Sequence, residues 1–187
     1  MLSYFDLRKG VKFILDGQPF EVLEFRQMGK AQDVVVAQTK IRNLINGKIS
    51  ERNFHQEDVF EEAEIAKIEV RFLYSHRGKF CFFEVENPSK RFEFTEEQIG
   101  EGSKFLKPNQ NLTGIKFQGK IINVSLPIKV QLKVVEAPPG VKGERAQAGT
   151  KTVTLETGAK INVPLFIENE DIIEVNTETG EYVRRVE

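Results

Sequence analysis

The sequence predicts an all-β protein, and three observations carry that prediction. Turn-forming dipeptides recur along the chain: Asp16-Gly17, Asn46-Gly47, Arg77-Gly78, Asn87-Pro88, Gln118-Gly119, Thr157-Gly158 and Thr179-Gly180. Between them lie short runs rich in β-branched and aromatic residues. Sustained helical periodicity is scarce.

Taken in order, Tyr4–Lys9 admits one helical turn, and Lys12–Leu15 reads as the first strand. Phe20–Phe25 leads into Arg26–Asp33, and Val34–Lys40 leads away, which describes a long hairpin with a slim tip. Val34–Val36, Ile68–Tyr74 and Ile121–Leu126 are further strands. Thr95-Glu96-Glu97-Gln98 has capping-box spacing before Ile99, but Gly100 and Gly102 limit it to one short turn of helix. Val130–Val135 is apolar at Val130, Leu132 and Val134, the period-two pattern of a strand with one buried face, and Ile172–Val175 follows as a strand.

A single large sandwich would satisfy this pattern, but an internal echo favours smaller units. Gly119-Lys120-Ile121-Ile122-Asn123-Val124 resembles Gly158-Ala159-Lys160-Ile161-Asn162-Val163, and a proline follows each (Pro127 and Pro164). Two barrels of one design in tandem would produce it. Boundaries near Glu64 and Pro127 give three units of about 60 residues, each marginal alone because so small a unit buries little surface.

Hydrophobic residues make up 40% and charged residues 29%, which suits a soluble globular chain. No apolar run approaches the roughly 18 residues of a membrane span. Met1–Lys12 carries charges and no apolar core, unlike a secretory leader. Cys81, the single cysteine, lies in Lys79-Phe80-Cys81-Phe82-Phe83 and is expected as a buried thiol. These features point to the cytoplasm.

Net charge is −1, yet its distribution is uneven. Arg26, Lys30, Lys40, Arg42 and Lys48 face only Asp33 across Arg26–Lys48, whereas Asn53–Ile65 carries Glu57, Asp58, Glu61, Glu62 and Glu64 and no Lys or Arg. A basic face beside an acidic one suits a protein oriented among phosphates, and it also describes two ordinary solvated surfaces.

Chemistry-bearing motifs are nearly absent. His55 and His76, the two histidines, lack metal-ligand spacing, and no P-loop, dinucleotide fingerprint or nucleophile elbow occurs. No catalytic residue, metal or cofactor is expected. Two segments are candidate binding sites, and from the residues alone the first also reads as an ordinary solvated β-turn and the second as a mobile linker. One is the hairpin tip, where Gly29, Lys30, Ala31 and Gln32 combine backbone freedom, a mobile charge and a long amide, with Arg26, Lys40 and Arg42 on the arms to meet phosphates. The other is Ala137–Thr150, rich in Gly, Pro and small residues, in which Gly143, Glu144, Arg145 and Ala146 form a loop able to lie along a nucleic-acid backbone.

The C-terminal third adds a resemblance. Lys151–Ala159, Lys160-Ile161-Asn162-Val163-Pro164-Leu165-Phe166-Ile167, Asp171–Val175 and Thr177–Val183 are very similar to the C-terminal signature of the elongation factor P family. Ala137–Gly143 resembles the family's approach to that domain. Leu15-Asp16-Gly17-Gln18-Pro19-Phe20 resembles its first hairpin, and Lys40-Ile41-Arg42-Asn43-Leu44 the strand after its functional loop. The resemblance implies an SH3-like (KOW-like) domain over 1–64, then oligonucleotide-binding (OB) barrels over 65–127 and 128–187. It implies a monomeric, non-enzymatic factor bound to the 70S ribosome beside P-site peptidyl-tRNA, relieving stalls at consecutive prolines. The first-domain loop would hold the tRNA CCA end, acting by orientation alone. Tyr182, Arg184 and Arg185 match a family segment close to the P-site tRNA, and residues 143–146 stand where the family loop approaches mRNA at the E site.

Two departures qualify that likeness. The family tip usually reads Lys-Pro-Gly-Lys-Gly, with a lysine that is often enzymatically extended. Ungapped counting from Asp16-Gly17 and from Lys40-Ile41-Arg42 places Gln32 at the tip and Lys30 where the proline sits; a two-residue shift would put Lys30 there instead. Arg145 also replaces a small hydroxyl residue of the family's third-domain loop. A divergent paralogue with a narrower task, a free-standing cold-shock-type RNA-binding module using OB barrels, and a small β enzyme are the alternative readings.

Overall fold

A computed structural model describes residues 1–28, 36–139 and 149–186. Three two-residue hairpin turns organise the described chain: Asp16-Gly17, Arg77-Gly78 and Gln118-Gly119. Both residues of each have positive φ, the geometry whose twist matches that of paired strands.

The strands are β1 Leu2–Ser3, β2 Lys12–Leu15, β3 Gln18–Met28, β4 Val36–Asn43, β5 Ile49–Phe54, β6 Val59–Glu62, β7 Ile65–His76, β8 Lys79–Glu84, β9 Asn87–Thr95, β10 Asn111–Phe117, β11 Lys120–Ser125, β12 Lys129–Glu136, β13 Thr150–Leu155, β14 Lys160–Pro164, β15 Ile172–Asn176 and β16 Tyr182–Val186. They form three sheets: β1-β6-β2-β3-β4-β5, β11-β10-β7-β8-β9 and β14-β13-β12-β15-β16. The protein is therefore all-β, as its turns and short runs predict.

The second and third sheets share one connectivity. In each, the first strand lies centrally, flanked by the second and third on one side and the fourth and fifth on the other. Five strands in this order match an OB barrel. The internal echo does not reflect that equivalence, since Lys120–Val124 belongs to a fifth strand and Lys160–Val163 to a third. Asn123 is buried, donating to Gln98 O at 2.7 Å, whereas Asn162 is exposed. The repeat exists in topology, not in those residues.

By proximity the chain divides into two compact units. One comprises Met1–Glu69, Glu97–Ile99 and Thr113–Val124; the other comprises Val70–Glu96, Gly100–Leu112 and Ser125–Glu187. In the first, Leu7, Phe13, Val22, Ala37, Ile41, Phe54 and Phe60 make a core in which Phe13, Phe54 and Phe60 meet edge-on, with centroids 4.8–5.9 Å apart. In the second, Val130, Leu132 and Val134 from β12 pack with Phe105, Val153, Leu155, Ile161, Ile173 and Val175. The alternation predicted for Val130–Val135 thus points into this core. Cys81 is a buried free thiol, also as expected.

Three local expectations are corrected. Asn87-Pro88 opens β9 instead of turning, because β9 is an edge strand and its first residues tolerate a proline that donates no ladder hydrogen bond. Gly100, at φ 87°, ends the short helix α1 (Glu96–Ile99), but Gly102 lies within a 3-10 turn over Glu101–Phe105. The N-terminal turn covers only Tyr4–Asp6, where the Ser3 N–H and hydroxyl both donate to Asp6 Oδ2 at 2.9 and 2.7 Å.

Candidate nucleic-acid interface

The predicted hairpin is formed by β3 and β4. Its arms pair from Phe20↔Asn43 to Met28↔Val36, with a bulge between Val22 and Glu24. β4 alternates strictly: Ala37, Thr39, Ile41 and Asn43 are buried, while Val36, Gln38, Lys40 and Arg42 turn outward. Its two buried polar residues are satisfied. Thr39 Oγ1 donates to Arg52 O at 2.9 Å. Asn43 Nδ2 donates to Gln18 Oε1 at 2.6 Å, and its Oδ1 accepts the N–H groups of Ile45 and Asn46. Asn43 therefore fixes the turn into β5 and ties it to the start of β3. The stem is thus held at its base by a buried, satisfied amide and by core packing.

The outward face of this stem is less basic than its sequence. Glu21 stands between Lys12 and Arg42, and Lys40 between Glu24 and Glu51. Glu24 lies 3.5 Å from Lys40 and 3.9 Å from Arg26, and Glu21 lies 3.7 Å from Lys12. Glu24, Arg26, Gln38, Thr39, Lys40 and Glu51 line a small polar hollow of about 150 Å³. Bases that look like an uncompensated run along the chain are interleaved with acids by strand pairing, the usual arrangement of a solvated sheet face. The expected tip residues Gly29, Lys30, Ala31 and Gln32 lie outside the described residues, as do Gly143, Glu144, Arg145 and Ala146.

Tyr182, Arg184 and Arg185 come together on β16, in the other unit. Tyr182 is half-buried against the third-sheet core, so it supports the sheet more than it presents a free ring. Glu174, only 8% exposed on β15, is bracketed by Arg184 and Lys129, each at 3.3 Å. The hydrogen bond from Arg184 holds the Glu174 carboxyl below the ordinary glutamate value; burial opposes this and Lys129 adds to it. Arg185 pairs with Asp171 at 3.7 Å and lies over the Phe166 ring, 6.0 Å from its centroid. Phe166 is 59% exposed and was not singled out by sequence reasoning, since within Pro164-Leu165-Phe166-Ile167 it reads as core. Its neighbour Ile167 is the residue that is fully buried.

His55 and His76 are exposed, and no group of His, Cys, Asp or Glu among the described residues could hold a metal. The described surface offers cations, most of them paired with carboxylates, and exposed rings on β scaffolds.

Comparison with known proteins gives the class, a translation factor with a KOW-like domain. Residues 3–60 match the Elongation factor P (EF-P) KOW-like domain, and residues 130–185 match Elongation factor P, C-terminal. Elongation factor P of Carboxydothermus hydrogenoformans is 37% identical over 186 residues, covering 100% of both chains. That of Alkaliphilus oremlandii is 40% identical over 186 residues, again covering 100% of both. Among solved structures, eukaryotic translation initiation factor 5A from Methanococcus jannaschii covers 66% of this chain and 92% of its own, with a TM-score of 0.49 and 17% identity. The chain belongs to the elongation factor P family.

Proposed function

We propose that this chain binds the 70S ribosome next to P-site peptidyl-tRNA and stimulates peptide-bond formation, relieving stalls at consecutive prolines. Its work is positioning. The β3–β4 stem directs residues 29–32 toward the CCA end, and the reacting groups are held in a productive geometry while no protein group does chemistry. Proline needs such help because its ring restricts the backbone. The factor acts as a cytoplasmic monomer without cofactor, in three domains over 1–64, 65–127 and 128–187. Arg184 and Arg185 contact the tRNA, with Tyr182 supporting the strand beneath them and the Phe166 ring near Arg185, and residues 143–146 approach mRNA at the E site.

The observation that carries this reading is the stem. Its arms remain paired as far as Met28↔Val36 and are anchored at the base by Asn43, in a chain whose full length matches elongation factor P relatives. The direct test is reconstituted translation of a reporter with three consecutive proline codons. Added protein should raise full-length product, while a proline-free reporter should be unaffected. Equal synthesis of both reporters with and without the factor overturns the proposal. Ribosome profiling of a deletion strain then separates it from a paralogue with a narrower task, because pausing should spread across Pro-Pro codons generally.

A further inference from the structure

The cations of the first sheet fall into two groups. Lys12, Arg26 and Lys40 lie within 4 Å of carboxylates on β3. Arg8, Lys9, Arg42, Lys48 and Arg52 are in no such pair among the described residues, and of these Arg8 and Lys9 lie on the turn that enters β2. Both of these turn residues are exposed. Asp6 attracts Arg8 at longer range, but its carboxylate is occupied by the Ser3 N–H and hydroxyl.

The backbone holding Arg8 and Lys9 is fixed. Leu7 is fully buried in the first core, and Gly10 adopts φ 89°. Val11 N–H donates to Arg8 O at 3.0 Å, Gly10 N–H to Val22 O at 2.8 Å, and Val22 N–H to Val11 O at 2.9 Å. The turn is thus bonded to β3 at Val22, immediately before the bulge. Pairing of β2 with β3 reaches only Lys12↔Glu21. The turn extends that contact by one residue, to Val22.

We infer that Arg8 and Lys9 form a phosphate-binding turn on the flank of the β3–β4 stem, gripping the sugar–phosphate backbone of the RNA that the stem enters. This rests on the ribosomal role proposed above. A paired cation must give up its carboxylate before it can take a phosphate, whereas Arg8 and Lys9 need shed only solvent and bulk ions. Their rigid backbone also lowers the ordering cost of contact. Two exposed cations on a turn recognise backbone charge and no base sequence, so they set the depth and register of the stem without discriminating among RNAs.

The test is binding of the labelled full-length protein to 70S ribosomes carrying P-site tRNA, measured across a KCl series. Each lost phosphate contact removes about 0.7–0.9 from the slope of log affinity against log salt. The Arg8→Ala/Lys9→Ala variant should therefore flatten the slope by about 1.4–1.8 and bind more weakly at low salt. Lys40→Ala should change it less, and Arg8→Lys/Lys9→Arg should restore it. If the alanine pair lowers the melting temperature, Arg8→Gln/Lys9→Gln, which keeps long side chains, replaces it. A wild-type slope in a folded neutral variant overturns the inference while leaving the ribosomal reading intact. Failure of the unaltered protein to bind the ribosomes overturns both.

Discussion

Glu174 shows how one buried carboxylate organises the end of the chain. It bridges Lys129 on β12 and Arg184 on β16, joining three neighbouring strands through charge. Its depressed pKa means that ionised Glu174 stabilises the fold above the unfolded-state value of about 4.3, and that this contribution is lost as pH falls below it. Glu174→Gln should consequently lower the melting temperature at neutral pH, with the gap to wild type closing in acid. Thermal melts at stepped pH check this, and parallel curves throughout the acid range would contradict it. Gln32 belongs to the same scale. A glutamine has no amine to extend, so intact-mass measurement of protein from its native host should give the unmodified mass. An added mass localised to Lys30 would shift the tip register by two residues.

At the scale of elements, the β3–β4 hairpin depends on the aromatic cluster beneath it. Phe13 is fully buried and touches the rings of Phe20, Phe54 and Phe60. Phe13→Ala should cost about 3–5 kcal/mol, read as a lowered denaturation midpoint, because the cluster cannot close over the space left. A cost under about 1 kcal/mol would show that the sheet collapses readily around the gap. The hairpin itself was legible in the sequence because its signals are local: β-branched runs on either side of a polar stretch between Phe25 and Val34. Its surface charge was not. Glu24 pairs with Lys40 from one neighbouring strand and Glu51 stands opposite it on the other, and only strand pairing brings them there. Strand β9 was obscured by Pro88, which signals a turn unless the strand is known to be an edge. The exposure of Phe166 was hidden for a similar reason, since an apolar run does not say which of its members the core will take.

On the scale of the whole molecule, all-β character followed from composition and turns, whereas the shared order of the second and third sheets appears only in the pairing. In both, the strand made first ends up in the middle. β12 must find β13 on one flank and β15 on the other, and Lys129 is opposite Asn176. Such distant partners make assembly slow compared with hairpin closure. During synthesis, β12 leaves the exit tunnel long before β15 does and must wait with one hydrogen-bonding edge bare. A nascent chain of this factor therefore passes through an interval in which its third sheet is open to mispairing, and that interval ends only when β15 has followed β12.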